Sequence, residues 1–191
     1  PYAKRKFKWD LLQSEWIKDH IEDFESKEER EIITHFHQQF LRQKTTILNL
    51  RKSVVHNDIN DYNLVVGDND EVAGIIDFGD AIYTATISEL AIMMAYAIMG
   101  KSDPIKSAAI IIKAYHASFP LQPQEVEVLI TLIAMRLVVS VTNAMINKKQ
   151  NPGNEYLSIS EKPAWELLKQ LRTGSHQINT LQFMHACGFE N

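Results

Sequence analysis

The chain has 191 residues, 45% of them apolar and 23% charged, with a formal net charge of −4. That is the composition of a folded domain able to bury a core, and its slight acidity argues against a nucleic-acid or anionic-membrane surface. One cysteine, Cys187, excludes a disulfide framework and a Cys-based zinc site, so a reducing, cytoplasmic setting is expected. No apolar run approaches the ~20 residues of a membrane span; the longest, 129–141, contains Arg136. The basic N-terminus lacks the apolar run of a signal peptide.

In chain order, residues 9–26 read as a helix, with Trp9, Leu12, Trp16, Ile17, Ile21 and Phe24 near helical spacing. Ser26-x-x-Glu29 is a capping-box pattern. The helix it opens should run to about Leu50, with Ile32, Ile33, Phe36, Phe40, Leu41 and Leu48 as its buried stripe. His35 and His37 are two apart, on roughly opposite faces, and so are not a metal pair. The texture then turns β-branched at 53–56. Residues 64–66, a turn at 67–70 and residues 72–76 read as a hairpin. Beyond Asp80 the chain is expected to be helical throughout: 87–99 ending at Gly100, a helix opened by Ser102-Asp103-Pro104, 123–147, one capped by Ser160 and running to Arg172, and a short one ending near Gly188. No repeat or linker divides the chain, so one domain, 1–191, is expected: a mainly α lobe with a small β-hairpin unit at 53–80.

Charge is unevenly distributed. Residues 53–90 contain no Lys or Arg but eight carboxylates: Asp58, Asp61, Asp68, Asp70, Glu71, Asp77, Asp80 and Glu89. Asp68, Asp70 and Glu71 fit a solvated turn. Asp58 and Asp77 have apolar sequence neighbours, and a divalent cation is the expected source of positive charge there. Two motifs flank the hairpin: His56-x-Asp58-x-x-x-x-Asn63, and Asp77-Phe78-Gly79 at its far end. A hairpin returns its outer ends side by side, which brings Asn63 and Asp77 within reach of one cation with Asp58 at the same rim. Phosphoryl transfer needs such parts: a carboxylate on the acceptor hydroxyl, and an amide oxygen and a second carboxylate on Mg²⁺.

These motifs resemble the signatures of the aminoglycoside phosphotransferase and choline kinase-like family. Ile75-Ile-Asp-Phe-Gly-Asp80 followed by Glu89-Leu-Ala91, with Trp9-Asp-Leu11, Asn154-Glu-Tyr156 and Ala164-Trp-Glu166, is closer to its hydroxylysine-kinase and homoserine-kinase-like branch. The resemblance implies the C-terminal lobe of a protein-kinase-like α+β fold, and a phosphotransferase moving the γ-phosphoryl group of ATP or GTP to a hydroxyl of a small molecule. It implies Asp58 as catalytic base and Asn63 and Asp77 as Mg²⁺ and cofactor ligands, with Asp61 and Asp80 as substrate contacts or solvated carboxylates. His56 and Glu89 are expected to hold the loop, and Phe78 and Gly79 to be packing and turn residues. Asn57 stands where the family usually has Gly; Asn best tolerates positive φ among the other residues. The acidic rim favours an amine-bearing acceptor.

The family's N-terminal lobe supplies a phosphate loop and a strand-borne Lys. The seven glycines here are never clustered, and no such Lys precedes residue 53. The chain is therefore expected to need an N-terminal lobe or a larger parent chain, to be inactive alone, and to expose an apolar face through which copies would associate. The alternative is a degenerate kinase lobe serving as a docking module.

Overall fold

The computed structural model describes residues 3–150 and 161–189. Leu11–Asp23 is wound as 3₁₀ helix, kinked at Gln13, where an ordinary helix is expected from sequence. Its buried residues, Leu11, Ser14 and Ile17, recur every third position, the 3₁₀ repeat. The Ser26 hydroxyl caps α1 (Lys27–Asn49) by accepting the Glu29 N–H. Ile32, Ile33, Phe36, Phe40 and Ile47 of α1 are buried. Leu41 and Leu48 are exposed instead; each lies one residue, and so about 100°, beyond a buried neighbour.

Two small antiparallel sheets follow. The expected hairpin forms between β2 (Leu64–Val66) and β3 (Val72–Ile75). The chain does not become helical after Asp80: β4 (Ile82–Ala85) pairs with β1 (Lys52–Val55), from Lys52↔Ala85 to Val55↔Ile82. The 53–80 stretch is thus a loop and hairpin carried between two paired strands, and that pairing returns the chain to its starting point.

Then come α2 (Ile87–Ala97), α3 (Pro104–Ser118), α4 (Pro123–Gln150), α5 (Glu161–Thr173) and α6 (His176–Ala186). Asp103 caps α3 with Pro104 in its first turn, and Gly100 and Gly188 turn the chain with φ of 70° and 73°. The expected cap Ser160 and the Asn154-Glu-Tyr156 match lie outside the described residues. α4 corrects the reading of the apolar runs, since it is long and apolar enough to cross a membrane. It packs against α1, α2, α5, α6 and the 3₁₀ segment, which bury most of it and make it the central helix of the core.

Candidate active site

The loop after β1 is fastened at every turn. Glu89, in the first turn of α2, reaches up so that Oε2 accepts the backbone N–H groups of His56 and Asn57, the latter at 3.3 Å. Burial pushes the Glu89 carboxyl above the usual carboxylate range, against the two N–H bonds and the neighbouring His56 and Arg136, which pull it down. Asn57 has φ 71°, the left-handed conformation expected of it. The imidazole of His56 donates from Nε2 to the Ile76 carbonyl (2.8 Å) and accepts the Asp58 N–H at Nδ1 (3.3 Å). His56 therefore ties the loop to the far end of the hairpin, as expected.

Asn63 and Asp77 stand at the two outer ends of that hairpin. Leu64 pairs with Ile75, and the Ile76 N–H donates to the Asn63 carbonyl at 3.0 Å, so the two residues leave adjacent backbone. Asn63 is buried and its Nδ2 donates to the Asp58 carbonyl (2.8 Å) and to Asp58 Oδ2 (3.2 Å). Turning the amide nitrogen toward Asp58 leaves Oδ1 as the atom able to face a cation. Asp77 has φ 61° and accepts the Gly79 N–H. It is exposed and, among the described residues, has no basic partner. Phe78 lays its ring on His56, with centroids 4.7 Å apart, and is otherwise exposed rather than packed.

Asp58 does not need a divalent cation as its counter-ion, contrary to the reading of the charge distribution. Its Oδ1 is 2.5 Å from Nη2 of Arg136, which projects from the middle of α4. The Arg136 side chain is only 3% exposed and that of Asp58 28%. Arg136 also donates to the Tyr96 hydroxyl from Nε (3.1 Å) and Nη2 (2.8 Å), and its guanidinium carbon lies 4.7 Å from the Trp9 ring centroid and 5.4 Å from that of Tyr96. Asn60 Nδ2 joins Asn63 on Asp58 Oδ2, at 3.2 Å. Sequence reading misses Arg136, Tyr96 and Asn60 as site residues.

Asp80 and Asp61 part company. Burial pushes the Asp80 carboxyl up, and nearby Asp58 and Asp77 push the same way against Arg136 and Arg5. Asp80 thus shares one electrostatic field with the motif carboxylates. Asp61 instead lines a cavity of about 580 Å³ between the loop and α2, with Tyr62, Leu64, Met93, Tyr96 and Met99 among its walls. Beside the site, Val65, Val66, Val72, Ile75, Ile76 and Phe78 form an exposed apolar surface on the hairpin. The N-terminal segment straps the other flank: Arg5 donates to the Gly79 carbonyl at 2.8 Å, and Asn57 donates to the carbonyl of Trp9.

A family model described as APH, phosphotransferase enzyme family, matches residues 3–125, a span that includes the loop and both ends of the hairpin. The chain belongs to this phosphotransferase family. It is 27% identical to the hydroxylysine kinase of Mus musculus over 201 aligned residues, covering 100% of this chain and 54% of that protein. Against the hydroxylysine kinase of Bos taurus identity is 26%, over 98% of this chain and 53% of the relative. Against that of Xenopus laevis it is 27%, over 95% and 52%. The chain spans about half the length of these curated relatives. Arg136 lies in α4, beyond the matched residues of the phosphotransferase model, so it enters the site from the part of the chain the family pattern does not describe.

Proposed function

We propose that the chain is the catalytic lobe of a small-molecule kinase, transferring the γ-phosphoryl group of ATP or GTP to a hydroxyl of an amine-bearing acceptor. The observation that supports this reading is that Asn63 bonds Asp58 while Asn63 and Asp77 leave adjacent backbone at the hairpin's outer ends, in a member of a phosphotransferase family. Asp58 orients the acceptor hydroxyl and receives its proton. Asn63 Oδ1 and the Asp77 carboxylate are the groups that would hold Mg²⁺. Two protein ligands leave the rest of the shell to water and phosphate oxygens, the usual arrangement for Mg²⁺. When bound, Mg²⁺ neutralises charge on the transferring phosphates.

The acceptor takes the cavity beside the loop, where Asp61 meets its ammonium and Met93, Leu64 and Met99 meet its carbon chain. Hydroxylysine is the first acceptor to test, because the relatives bear that name. The exposed apolar hairpin is the face against which an N-terminal lobe and the nucleotide would pack, and without that lobe copies of the chain would associate through it.

The test is nucleotide turnover by the full-length enzyme with hydroxylysine and other amino alcohols. Asp77→Ala should abolish it. Asn63→Ala should reduce it in a way that raised Mg²⁺ partly restores. A docking module would show no turnover with any acceptor and no loss in either variant.

A further inference from the structure

We propose that Arg136 is a positioning residue for the phosphoryl-transfer base: held by Trp9 and Tyr96, it fixes where Asp58 points. The inference rests on the reading of Asp58 as the base, and deepens it.

The argument begins with the cost of putting a guanidinium where Arg136 is. A side chain 3% exposed in the central, mostly buried helix of the core loses nearly all its hydration, which costs several kcal/mol in effect. A purely structural arginine takes its carboxylate in a two-nitrogen fork. Arg136 gives Asp58 Oδ1 Nη2 alone; Nε and Nη2 both donate to the Tyr96 hydroxyl, and the Trp9 and Tyr96 ring centroids lie 4.7 and 5.4 Å from the guanidinium carbon. Two aromatic rings and a hydroxyl leave the guanidinium few rotamers. Rigid donors on a carboxylate set its angle, as supporting partners do for metal-ligating side chains.

Asp58 is gripped on both oxygens, Oδ1 by Arg136 and Oδ2 by the amides of Asn60 and Asn63. An aspartate that could swing would meet the acceptor hydroxyl in many geometries. One held by three donors from two directions meets it in one, and orientation of this kind is worth orders of magnitude in rate. Tyr96 also lines the cavity next to the loop, so the chain Tyr96–Arg136–Asp58 runs from the cavity wall to the base. Arg136 is only 3% exposed and offers an acceptor almost no surface, whereas Asp58 is 28% exposed.

The decisive experiment is a double-mutant cycle in the full-length enzyme, with kcat, KM for the acceptor and Mg²⁺–nucleotide affinity measured separately. Arg136→Met replaces the guanidinium by an apolar side chain of similar length. It should lower kcat by about 10²-fold while KM and nucleotide affinity move by no more than about threefold. Arg136→Lys, which restores the charge without the fork, should recover part of that loss. In an Asp58→Asn background, adding Arg136→Met should cost almost nothing more, since a residue acting through Asp58 has nothing left to position. A normal kcat in Arg136→Met, or losses that simply multiply in the double variant, would overturn the proposal. Should Arg136→Met fail to fold, the Arg136→Lys pair of the cycle decides by the same criterion. Asp58→Asn alone separates the two levels: if it turns over normally, the base assignment falls and this proposal with it. If it is inactive while Arg136→Met and Arg136→Lys are normal, only the positioning role falls.

Discussion

α4 carries two arginine–carboxylate pairs, one at its first turn and one at its middle, and they are built differently. At the first turn, Glu125 on the helix takes Arg51, the residue just before β1, through Nε (2.9 Å) and Nη2 (2.6 Å), and accepts the Gln122 N–H at 2.8 Å. Arg51 spends its remaining reach on the Pro120 carbonyl and the Phe119 ring. Every strong acceptor there is filled. At the middle, Arg136 touches Asp58 through one nitrogen, shares that nitrogen with the Tyr96 hydroxyl, and its carboxylate stays partly open to solvent. A saturated pair holds two elements together. An incompletely saturated pair beside a cavity keeps a carboxylate oriented yet accessible, which a structural clamp has no reason to do.

The contrast can be tested by its consequences. Asp58→Asn should cost about 10²- to 10⁴-fold in turnover per folded molecule, and it should also lower the melting temperature because the buried Arg136 loses its carboxylate; steady-state assay of the full-length enzyme and thermal denaturation read the two effects. Glu125→Ala should lower stability alone. It leaves Arg51 half-satisfied and the Gln122 N–H unpaired, costing about 2 kcal/mol of stability with kcat unchanged per folded molecule. If Glu125→Ala were as damaging to turnover as Asp58→Asn, the distinction between clamp and site would fail.

A third variant probes the loop that presents Asp58. Asn57→Ala keeps a Cβ at φ 71° and should cost about 1 kcal/mol in strain. Asn57→Gly is free of that strain and loses only the buried amide and its bond to the Trp9 carbonyl, so it should cost less than Asn57→Ala. Chemical denaturation of both variants checks this.

The smallest effect should come from pH. Burial lowers the pKa of His35, His37 and His176, with nearby Arg172 and Arg42 adding to it at His35, and His35 and Arg42 at His176. At His37 the neighbourhood of Glu15 partly opposes burial. A folded state that binds a proton less readily than the unfolded chain loses stability as pH falls through the unfolded histidine value, about 6.5. The denaturation midpoint should therefore hold above about pH 7 and decline below it. His176→Gln should flatten the decline.

Much of this was legible before any coordinates. The Ser26 and Asp103 caps, the hairpin, Gly100 and Gly188 are local features, and local backbone chemistry is readable from short strings. His56 and Glu89 hold the loop and Asn57 takes positive φ, as expected. Asn63 and Asp77 leave adjacent backbone because a hairpin returns its ends. What escaped was non-local. The pairing of β4 with β1 depends on four residues, Ile82–Ala85, that merge in sequence with the apolar helix after them. The partner of Asp58 lies 78 residues away. The signal is present in two halves: an acidic stretch with no Lys or Arg, and a lone arginine inside the apolar run 129–141. Each half is explicable alone, and only tertiary packing joins them.

The position of those two charged residues on α4 has a consequence for how the helix is seated. Glu125 and Arg136 are eleven residues apart, about three turns and roughly 16 Å along the axis, so they share a face. A helix that is greasy nearly all round can rotate or slide among its neighbours with little change in buried area. Two ion pairs three turns apart act on it like pins through a shaft, setting both rotation and slide. Inserting one residue between them would turn Arg136 by about 100° and swing it off Asp58, while the apolar surface would still find a berth. The same insertion after Arg136 would leave the pins aligned. Insertion scanning along α4 should therefore divide it at Arg136 into a stretch that tolerates no change in length before the active centre is lost, and one where length is a matter of packing alone.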